Sequence, residues 1–242
     1  MSALRVTVSP ALDSEVAKWF VRAARDHAGG FRVALSGGRT PEALLQRLAR
    51  PPLSEEVQWQ RIELFQVDER CVPSGHPDSN RGMIERCLLA SLLARPATHW
   101  MRTELPPAEA ARSYDEEMRH SLGEPPVLDL VLLGMGEDGH TASLFPGTEA
   151  LSEERQLAAA NYVGKLGAWR ITLTWPVLEA ARAVWFLVAG ESKADVLRRV
   201  LVENDASLPA TRLLGHGSTV WFIDEPAAAQ LPAEILEGRT PR

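Results

Sequence analysis

The segment 134–140 combines a carboxylate, an imidazole and several glycines. Asp138 and His140 are separated by one residue, and Gly134, Gly136 and Gly139 surround them. Glycines at this density let the backbone turn sharply and let a ligand approach bare amide groups. A histidine titrates near neutral pH and can take and return a proton, and a carboxylate can orient it. The pattern therefore predicts an acid–base site on a tight turn. The alternative is a turn that caps a helix and leaves His140 on the surface.

A loop of small residues follows the predicted strand 31–35 and precedes a predicted helix. Thr40 is the expected N-cap of this helix and Pro41 its first residue. The loop consists of Ser36, Gly37, Gly38, Arg39 and Thr40. Free amides and hydroxyls at the positive end of a helix are typical of phosphate binding. The loop lacks the lysine of a nucleotide-binding P-loop, so we do not expect a nucleoside triphosphate. An ordinary strand-to-helix turn is the alternative.

Three consecutive charges, Asp68, Glu69 and Arg70, follow the predicted strand 61–67. Their place directly after a strand indicates the functional end of a sheet rather than simple solvation. A loop then leads to a helix near Asn80, for which Asp78 or Ser79 is the expected N-cap. The His, Cys and Asp residues of this region have no recognised metal-ligand spacing, so we expect no metal.

Apolar runs typical of strands alternate along the chain with helical patterns, and the connections are short. The expected strands lie at 5–9, 31–35, 61–67, 128–133, 169–174, 183–189 and 219–223. This order predicts an α/β fold: a single domain, residues 1–242, with one doubly wound, mainly parallel sheet flanked by helices. In such sheets ligands bind at the carboxyl ends of the strands, where the three polar segments fall.

The composition excludes several classes of protein. The net charge of −6 and the sequence pI near 5.6 argue against nucleic-acid binding, which needs a basic surface. Two cysteines, Cys71 and Cys87, provide no disulfide framework, so we expect a cytoplasmic protein. We find neither a secretory signal nor a run of membrane-spanning length, and expect no association with a membrane.

Two motifs in the sequence are misleading. Residues 134–139 formally match the dinucleotide fingerprint, but no long apolar helix follows and no acidic residue ends a second strand about twenty positions later. Ser36 and Ser143 do not match the nucleophile elbow G-x-S-x-G. We therefore expect no bound NAD or NADP, and water as the nucleophile of any hydrolysis.

Four segments together resemble those of the 6-phosphogluconolactonases, a family in the superfamily that they share with the glucosamine-6-phosphate deaminases. They are Leu-Ser-Gly-Gly-Arg-Thr-Pro (35–41), Val-Asp-Glu-Arg (67–70) with His-Pro-Asp-Ser-Asn (76–80), Gly-Met-Gly-Glu-Asp-Gly-His-Thr-Ala-Ser-Leu-Phe-Pro-Gly (134–147) and Arg-Ile-Thr-Leu-Thr (170–174). The resemblance covers the chain from residue 30 to residue 223. The third segment is the most specific, because 141–147 follow the lactonase version and lack the downstream glutamate of the deaminases.

The resemblance implies a Rossmann-like sheet of the deaminase/lactonase type and the hydrolysis of 6-phospho-D-glucono-1,5-lactone to 6-phosphogluconate in the pentose phosphate pathway, with no required cofactor. His140 is then the general base, and Asp138 orients the imidazole or the water. Arg70 stabilises charge at the lactone or the developing oxyanion. Asp68 positions Arg70 or a sugar hydroxyl.

The same resemblance implies a site for the 6-phosphate, formed by the loop 36–40 together with Arg170 and Lys193. A cation such as Lys193 at the start of a helix is unfavourable unless an anion lies nearby. Asn80 and Gly136 complete the predicted substrate-binding residues. Where the family often has a Pro-Lys-Pro-Pro-rich segment, this chain has Gly-Lys-Leu-Gly-Ala-Trp (164–169), so whether Lys165 reaches the substrate is left open.

The expected partner is therefore the small-molecule substrate 6-phosphogluconolactone, and the expected state is a monomer or a weak homodimer. Two other functions fit the same segments. One is a deaminase or isomerase that acts on an amino-sugar phosphate, and the other is a non-catalytic sugar-phosphate sensor.

Overall fold

A computed structural model describes residues 4–236. The strands in this part of the chain are β1 (Arg5–Val8), β2 (Phe31–Leu35), β3 (Ile62–Gln66), β4 (Asp68–Arg70), β5 (Ala97–His99), β6 (Leu130–Leu133), β7 (Ala158–Val163), β8 (Ala168–Leu173), β9 (Val184–Val188) and β10 (Thr219–Ile223). The α-helices are α1 (Leu12–Asp26), α2 (Arg39–Leu48), α3 (Leu53–Glu56), α4 (Asn80–Cys87), α5 (Pro107–Leu122), α6 (Trp175–Ala180), α7 (Ala194–Leu201), α8 (Glu225–Ala228) and α9 (Ala233–Leu236). Helix α5 ends at Leu122 and is capped by Gly123, whose φ is 78°.

The main sheet contains seven parallel strands among the described residues, in the order β1-β10-β9-β6-β2-β3-β5. The chain adds β3 and β5 on one side of β2, and then continues with β6, β9 and β10 on the other side. The direction of winding therefore reverses between β2 and β6, which leaves a crevice beyond their carboxyl ends. The prediction of a doubly wound, mainly parallel α/β sheet is confirmed.

Alternate residues of each central strand pack on opposite faces of the main sheet. On one face, Val33, Leu64 and Leu132 pack with the apolar sides of α1, α2 and α4. On the other face, Phe65 and Val131 pack with α5, α6 and α7. Because side chains alternate along a strand and both faces are covered, β6 is apolar throughout and β2 and β3 are mainly apolar. Each fully buried side chain of this kind contributes about 1.5–3 kcal/mol, so the register of the strands that carry the site is strongly fixed.

A second sheet, which the sequence did not predict, contains three antiparallel strands in the order β4-β8-β7. The charged segment 68–70, expected directly after the strand 61–67 at the functional end of the sheet, is itself a strand of this second sheet. The run 169–174, expected in the main sheet, contributes β8. The sequence analysis also missed β5 and β7. Strand β4 follows β3 after a single residue, Val67, and this connection joins the two sheets directly.

The starts of two helices near the site differ in how they are capped. Helix α2 begins at Arg39 after Gly38, whose φ of 103° favours glycine, so the expectation that Thr40 caps it is wrong. Helix α4 begins after Ser79, whose side chain accepts a hydrogen bond from the amide of Gly82, in agreement with the prediction. Between residues 4 and 236, every helix is too short or too polar to cross a lipid bilayer.

Candidate active site

The polar segments from the sequence meet at the carboxyl ends of β2, β3 and β6. The loop 36–38 follows β2, and the segment 134–140 follows β6, its neighbour in the sheet. The amide of Ser36 donates to the carbonyl of Leu132, which joins the two strand ends. The two glycine-containing loops therefore border the crevice where the winding of the sheet reverses, the usual place of a ligand in such folds.

Asp138 and His140 form a hydrogen-bonded pair on the turn after β6. The distance from Nδ1 of His140 to Oδ1 of Asp138 is 2.5 Å, and the imidazole stacks on Phe145 with 3.9 Å between ring centroids. Since Nδ1 faces the carboxylate, Nε2 is the ring nitrogen left to act on a substrate. Burial lowers the pKa of His140 below its ordinary 6.5, and this outweighs the opposite effect of Asp138. The imidazole is therefore neutral, and able to act as a base, at neutral pH.

The glycines of this turn have distinct roles. An ideal β carbon at position 136 would lie 2.6 Å from Oδ1 of Asp138 and closer still to Nδ1 of His140. Gly139 has a φ of 74°, and a side chain there would also contact Leu208. The space that the Asp138–His140 pair needs is thus provided by Gly136, whereas Gly139 provides the sharp turn.

Lys165, which the sequence left in doubt, reaches this pair. Its Nζ donates a hydrogen bond to Oδ2 of Asp138 and lies 4.7 Å from the centroid of the Phe145 ring. Burial raises the pKa of Asp138, but the hydrogen bonds from Lys165 and His140 outweigh burial and bring the pKa to about 2. Asp138 is therefore ionised, and each of its two carboxylate oxygens accepts a hydrogen bond.

Asp68 and Asn80 lie in a buried network beside the pair. The carboxylate of Asp68 accepts hydrogen bonds from Oγ of Ser143 at 2.7 Å and from Nδ2 of Asn80 at 3.2 Å. Ser143 is held in turn by Thr172 of β8, whose Oγ1 accepts from the amide of Ser143. Asp68 is thus positioned by Ser143 and Asn80 rather than by an ion pair with Arg70.

Glu69, between two predicted site residues, is a buried residue that the sequence analysis did not assign. Its carboxylate accepts hydrogen bonds from the amides of Asn80 and Arg81, each at 2.7 Å, and from the amide of Arg70 at 2.8 Å. The side chains of Gln66 and Ser79 donate to it as well. An anion at the start of a helix is favourable, and Glu69 therefore fixes the start of α4 against β4. Sequence patterns could not reveal this role, because it depends on hydrogen bonds to residues eleven and twelve positions later in the chain.

Arg70 and Arg170 lie directly opposite each other in the antiparallel pair of β4 and β8. Both Nε atoms are buried without a hydrogen-bond partner among residues 4–236, although Nη1 of Arg70 donates to the carbonyl of Asp78. Burial lowers the pKa of Arg170, and the neighbouring Arg70 adds to this effect. Like charges opposite each other in a sheet are destabilising. Their pairing here therefore favours a site for an anionic group.

The predicted phosphate-binding residues are divided between two cavities. Lys193 and residues 37–40 line a cavity of about 690 Å³. Arg70 and Arg170 line a different cavity of about 500 Å³, together with Trp169. The structure therefore brings Lys193 and the glycine loop together, and places Arg170 with Arg70 instead.

Two further contacts connect the glycine loop and Lys193 to the rest of the site. Gly37 packs against the side chain of Asn80, and a β carbon at position 37 would overlap that side chain. The buried hydroxyl of Ser36 has no hydrogen-bond partner among residues 4–236. Nζ of Lys193 lies 3.9 Å from Oε1 of Glu137, a neighbour of Asp138. The exposed Glu137 supplies the anion that a lysine at the start of a helix requires.

The described residues contain no group of three or more His, Cys, Asp and Glu side chains arranged to hold a metal ion.

Comparisons with known proteins relate most of the chain to one family. The family model described as glucosamine-6-phosphate isomerases/6-phosphogluconolactonase matches residues 7–221. A 6-phosphogluconolactonase from Nostoc is 38% identical over 224 residues, covering 84% of this chain and 85% of that protein. The human 6-phosphogluconolactonase is 39% identical over 208 residues, covering 83% and 81%. The solved structure of 6-phosphogluconolactonase from Trypanosoma brucei superposes with a TM-score of 0.83 at 27% identity, over 96% of this chain and 100% of that one.

Proposed function

The chain belongs to the glucosamine-6-phosphate isomerase/6-phosphogluconolactonase family, as a lactone hydrolase of the 6-phosphogluconolactonase type, and we propose that it hydrolyses 6-phospho-D-glucono-1,5-lactone to 6-phosphogluconate in the pentose phosphate pathway. The observation that carries the mechanism is the hydrogen bond between Asp138 and His140 at the carboxyl end of β6. It leaves a neutral imidazole with Nε2 free, which is the form that a general base requires.

In this mechanism His140 is the base that activates water. Nε2 takes a proton from a water molecule while the water oxygen forms a bond to C1 of the lactone. The carbonyl electrons move to the C1 oxygen, and Asp138 stabilises the imidazolium that has formed. The tetrahedral intermediate then collapses, the bond between C1 and the ring oxygen breaks, and the ring oxygen receives the proton from Nε2. The acid product ionises, so one proton is released to the solvent.

The cationic residues are proposed to bind the two negative regions of the reacting substrate. Arg70 is placed at the C1 oxygen, where charge develops, and preorganised donors at such a position are an effective source of catalysis. The loop 36–40 and Lys193 bind the 6-phosphate, with free amides at the start of α2. Arg170 lines the cavity of Arg70 and not that of Lys193. It is nevertheless proposed as a further phosphate ligand, since a guanidinium can bind phosphate through two hydrogen bonds.

Three further residues are proposed to contact the substrate. Asp68 orients a sugar hydroxyl, and Asn80 and Gly136 border the bound substrate. We further propose that residues 1–242 act as one domain, in the cytoplasm, as a monomer or a weak homodimer. Size-exclusion chromatography with light scattering tests the last point.

The experiment that tests the function is acid release from freshly prepared 6-phosphogluconolactone, followed with a pH indicator and corrected for spontaneous hydrolysis. Purified protein is expected to accelerate the reaction in proportion to its concentration. Failure to exceed the spontaneous rate would contradict the proposal. Ammonia release from glucosamine 6-phosphate would instead indicate a deaminase, and binding of 6-phosphogluconate without turnover would indicate a sensor.

A further inference from the structure

The turn that carries Lys165 is held firmly over the Asp138–His140 pair. Strands β7 and β8 are paired from Ala158 with Leu173 to Val163 with Ala168. Residues 164–166 form a single 3-10 turn, and Gly167 closes it in the left-handed conformation with a φ of 60°. This hairpin therefore presents Lys165 at a defined position rather than on a long, free loop.

The same hairpin is attached to the segment that follows His140. Nδ2 of Asn161, in β7, donates to the carbonyl of Ser143 at 2.8 Å and to Oγ1 of Thr148 at 2.9 Å. Asn161 itself is buried. Any displacement of the hairpin would consequently disturb the loop 141–148, so Lys165 and His140 are parts of one connected unit.

Lys165 and His140 share two partners. Each binds a different oxygen of the Asp138 carboxylate, Lys165 at Oδ2 and His140 at Oδ1. Both also contact the ring of Phe145, against which the imidazole stacks and the ammonium group lies at 4.7 Å. A cation over an aromatic ring is attracted to it. The ammonium group of Lys165 is therefore held by two contacts, the hydrogen bond to Asp138 and the ring of Phe145.

We propose that Lys165 is a positioning residue for lactone hydrolysis, which holds Asp138 so that the carboxylate fixes His140 with Nε2 directed at the substrate. The inference rests on the proposed function and adds a residue to it. A carboxylate bound on one side only can rotate about its χ2 torsion, which is broad for Asp. With Lys165 at Oδ2, this rotation is restricted and Oδ1 stays on Nδ1 of His140.

Lys165 also influences the charge of the pair. The charged groups that act on His140 are Asp138 and Asp68, which favour the imidazolium, and Lys165, which opposes it. Removing the lysine charge should therefore raise the pKa of His140. A larger fraction of the base would then be protonated, and inactive, in slightly acidic solution.

The test uses the full-length protein and two substitutions. Lys165→Met keeps an unbranched apolar side chain next to Phe145 but removes the charge and the donor, and Lys165→Arg keeps both. We expect the NMR titration of the His140 imidazole to move to higher pH in Lys165→Met and to return towards wild type in Lys165→Arg. In the lactone assay, kcat/KM of Lys165→Met should fall about tenfold near pH 6 and less near pH 8, with KM within about twofold of wild type.

Two results would overturn the inference. One is an unchanged His140 titration together with an unchanged acid limb of kcat/KM in Lys165→Met. The other is a rise in KM at constant kcat, because that would make Lys165 a substrate ligand instead. The titration needs no substrate. A wild-type protein without lactonase activity would therefore contradict the proposed function, while the effect of Lys165 on His140 would still be measured independently.

Discussion

Gly136 lies so close to His140 that a β carbon at position 136 would overlap Nδ1 of the imidazole. The substitution Gly136→Ala should therefore push His140 away from Asp138 without disturbing the core, because this turn lies at the end of β6. Misplacement of a catalytic group by about 1 Å can cost 10²-fold in rate, and we expect kcat to fall by about that factor. Steady-state kinetics with the lactone measures the effect.

The matched control is Gly134→Ala, two residues earlier in the same turn. A β carbon there meets no protein atom within 4 Å, so kcat of this variant should stay close to wild type. Gly134 lines the cavity of Lys193, and any loss should therefore appear in KM. Equal losses in both variants would mean that the turn as a whole, and not the space beside His140, is sensitive to substitution.

Replacement of His140 by alanine removes the proposed general base. Such a base contributes typically about 10²–10⁴ in rate, and we expect a decrease of that size in kcat with little change in the far-UV circular dichroism spectrum. The control is His120→Ala, because His120 is an exposed residue of α5. A His140→Ala variant with wild-type turnover would exclude this residue as the base.

The pH dependence of kcat/KM should have an acid limb with a midpoint below 6.5. Burial lowers the pKa of His140 from that ordinary value, and the base is inactive only when protonated, so activity is lost as pH falls through the lowered pKa. Asp138, with a pKa of about 2, remains ionised throughout this range. Initial rates corrected for spontaneous hydrolysis at each pH give the profile, and a midpoint above 6.5 would contradict the assignment.

The substitution Arg170→Met should separate stability from substrate binding. Removing one of two opposed guanidinium groups relieves a repulsion of about 0.2–1 kcal/mol, so the free energy of unfolding in urea should stay constant or rise. KM for the phosphorylated lactone should increase about tenfold or more, because a charge-assisted hydrogen bond is lost.

A lactone without phosphate shows which group Arg170 binds. If Arg170 holds the 6-phosphate, Arg170→Met should leave hydrolysis of glucono-1,5-lactone unchanged. Lys193→Met should behave in the same way, since it is proposed to bind the same group. Loss of turnover with both lactones in Arg170→Met would instead place this arginine at the reacting carbonyl beside Arg70.

The buried carboxylate of Glu69 should contribute strongly to stability. In Glu69→Gln, the NH₂ group of the new amide would face N–H and O–H donors that now bind the carboxylate. These buried donors would lose their acceptor, which costs about 1–3 kcal/mol. Urea unfolding should show a loss of that size. Glu56→Gln, at an exposed position of α3, is the control and should change stability by less than about 0.5 kcal/mol. Similar values for both variants would contradict the role assigned to Glu69.

Local patterns determined most strands of the main sheet and the identity of the central pair. Apolar runs such as 31–35 and 219–223 predicted strands with the observed bounds, because both faces of the sheet are covered and the side chains must be apolar. The glycines around Asp138 and His140 predicted the turn after β6, since a backbone with positive φ at Gly139 and free space at Gly136 needs glycine.

Tertiary structure alone decided how the other residues are combined. Arg70 lies opposite Arg170 because of the register of β4 and β8. Lys165 contacts Asp138 because the turn between β7 and β8, which Gly167 closes, carries it there. Lys193 and Arg170 line two different cavities, which the sequence did not predict. Such pairings join segments distant in the chain, and the free energy that selects them comes from the packing of whole elements. That packing cannot be predicted from a local pattern of residues.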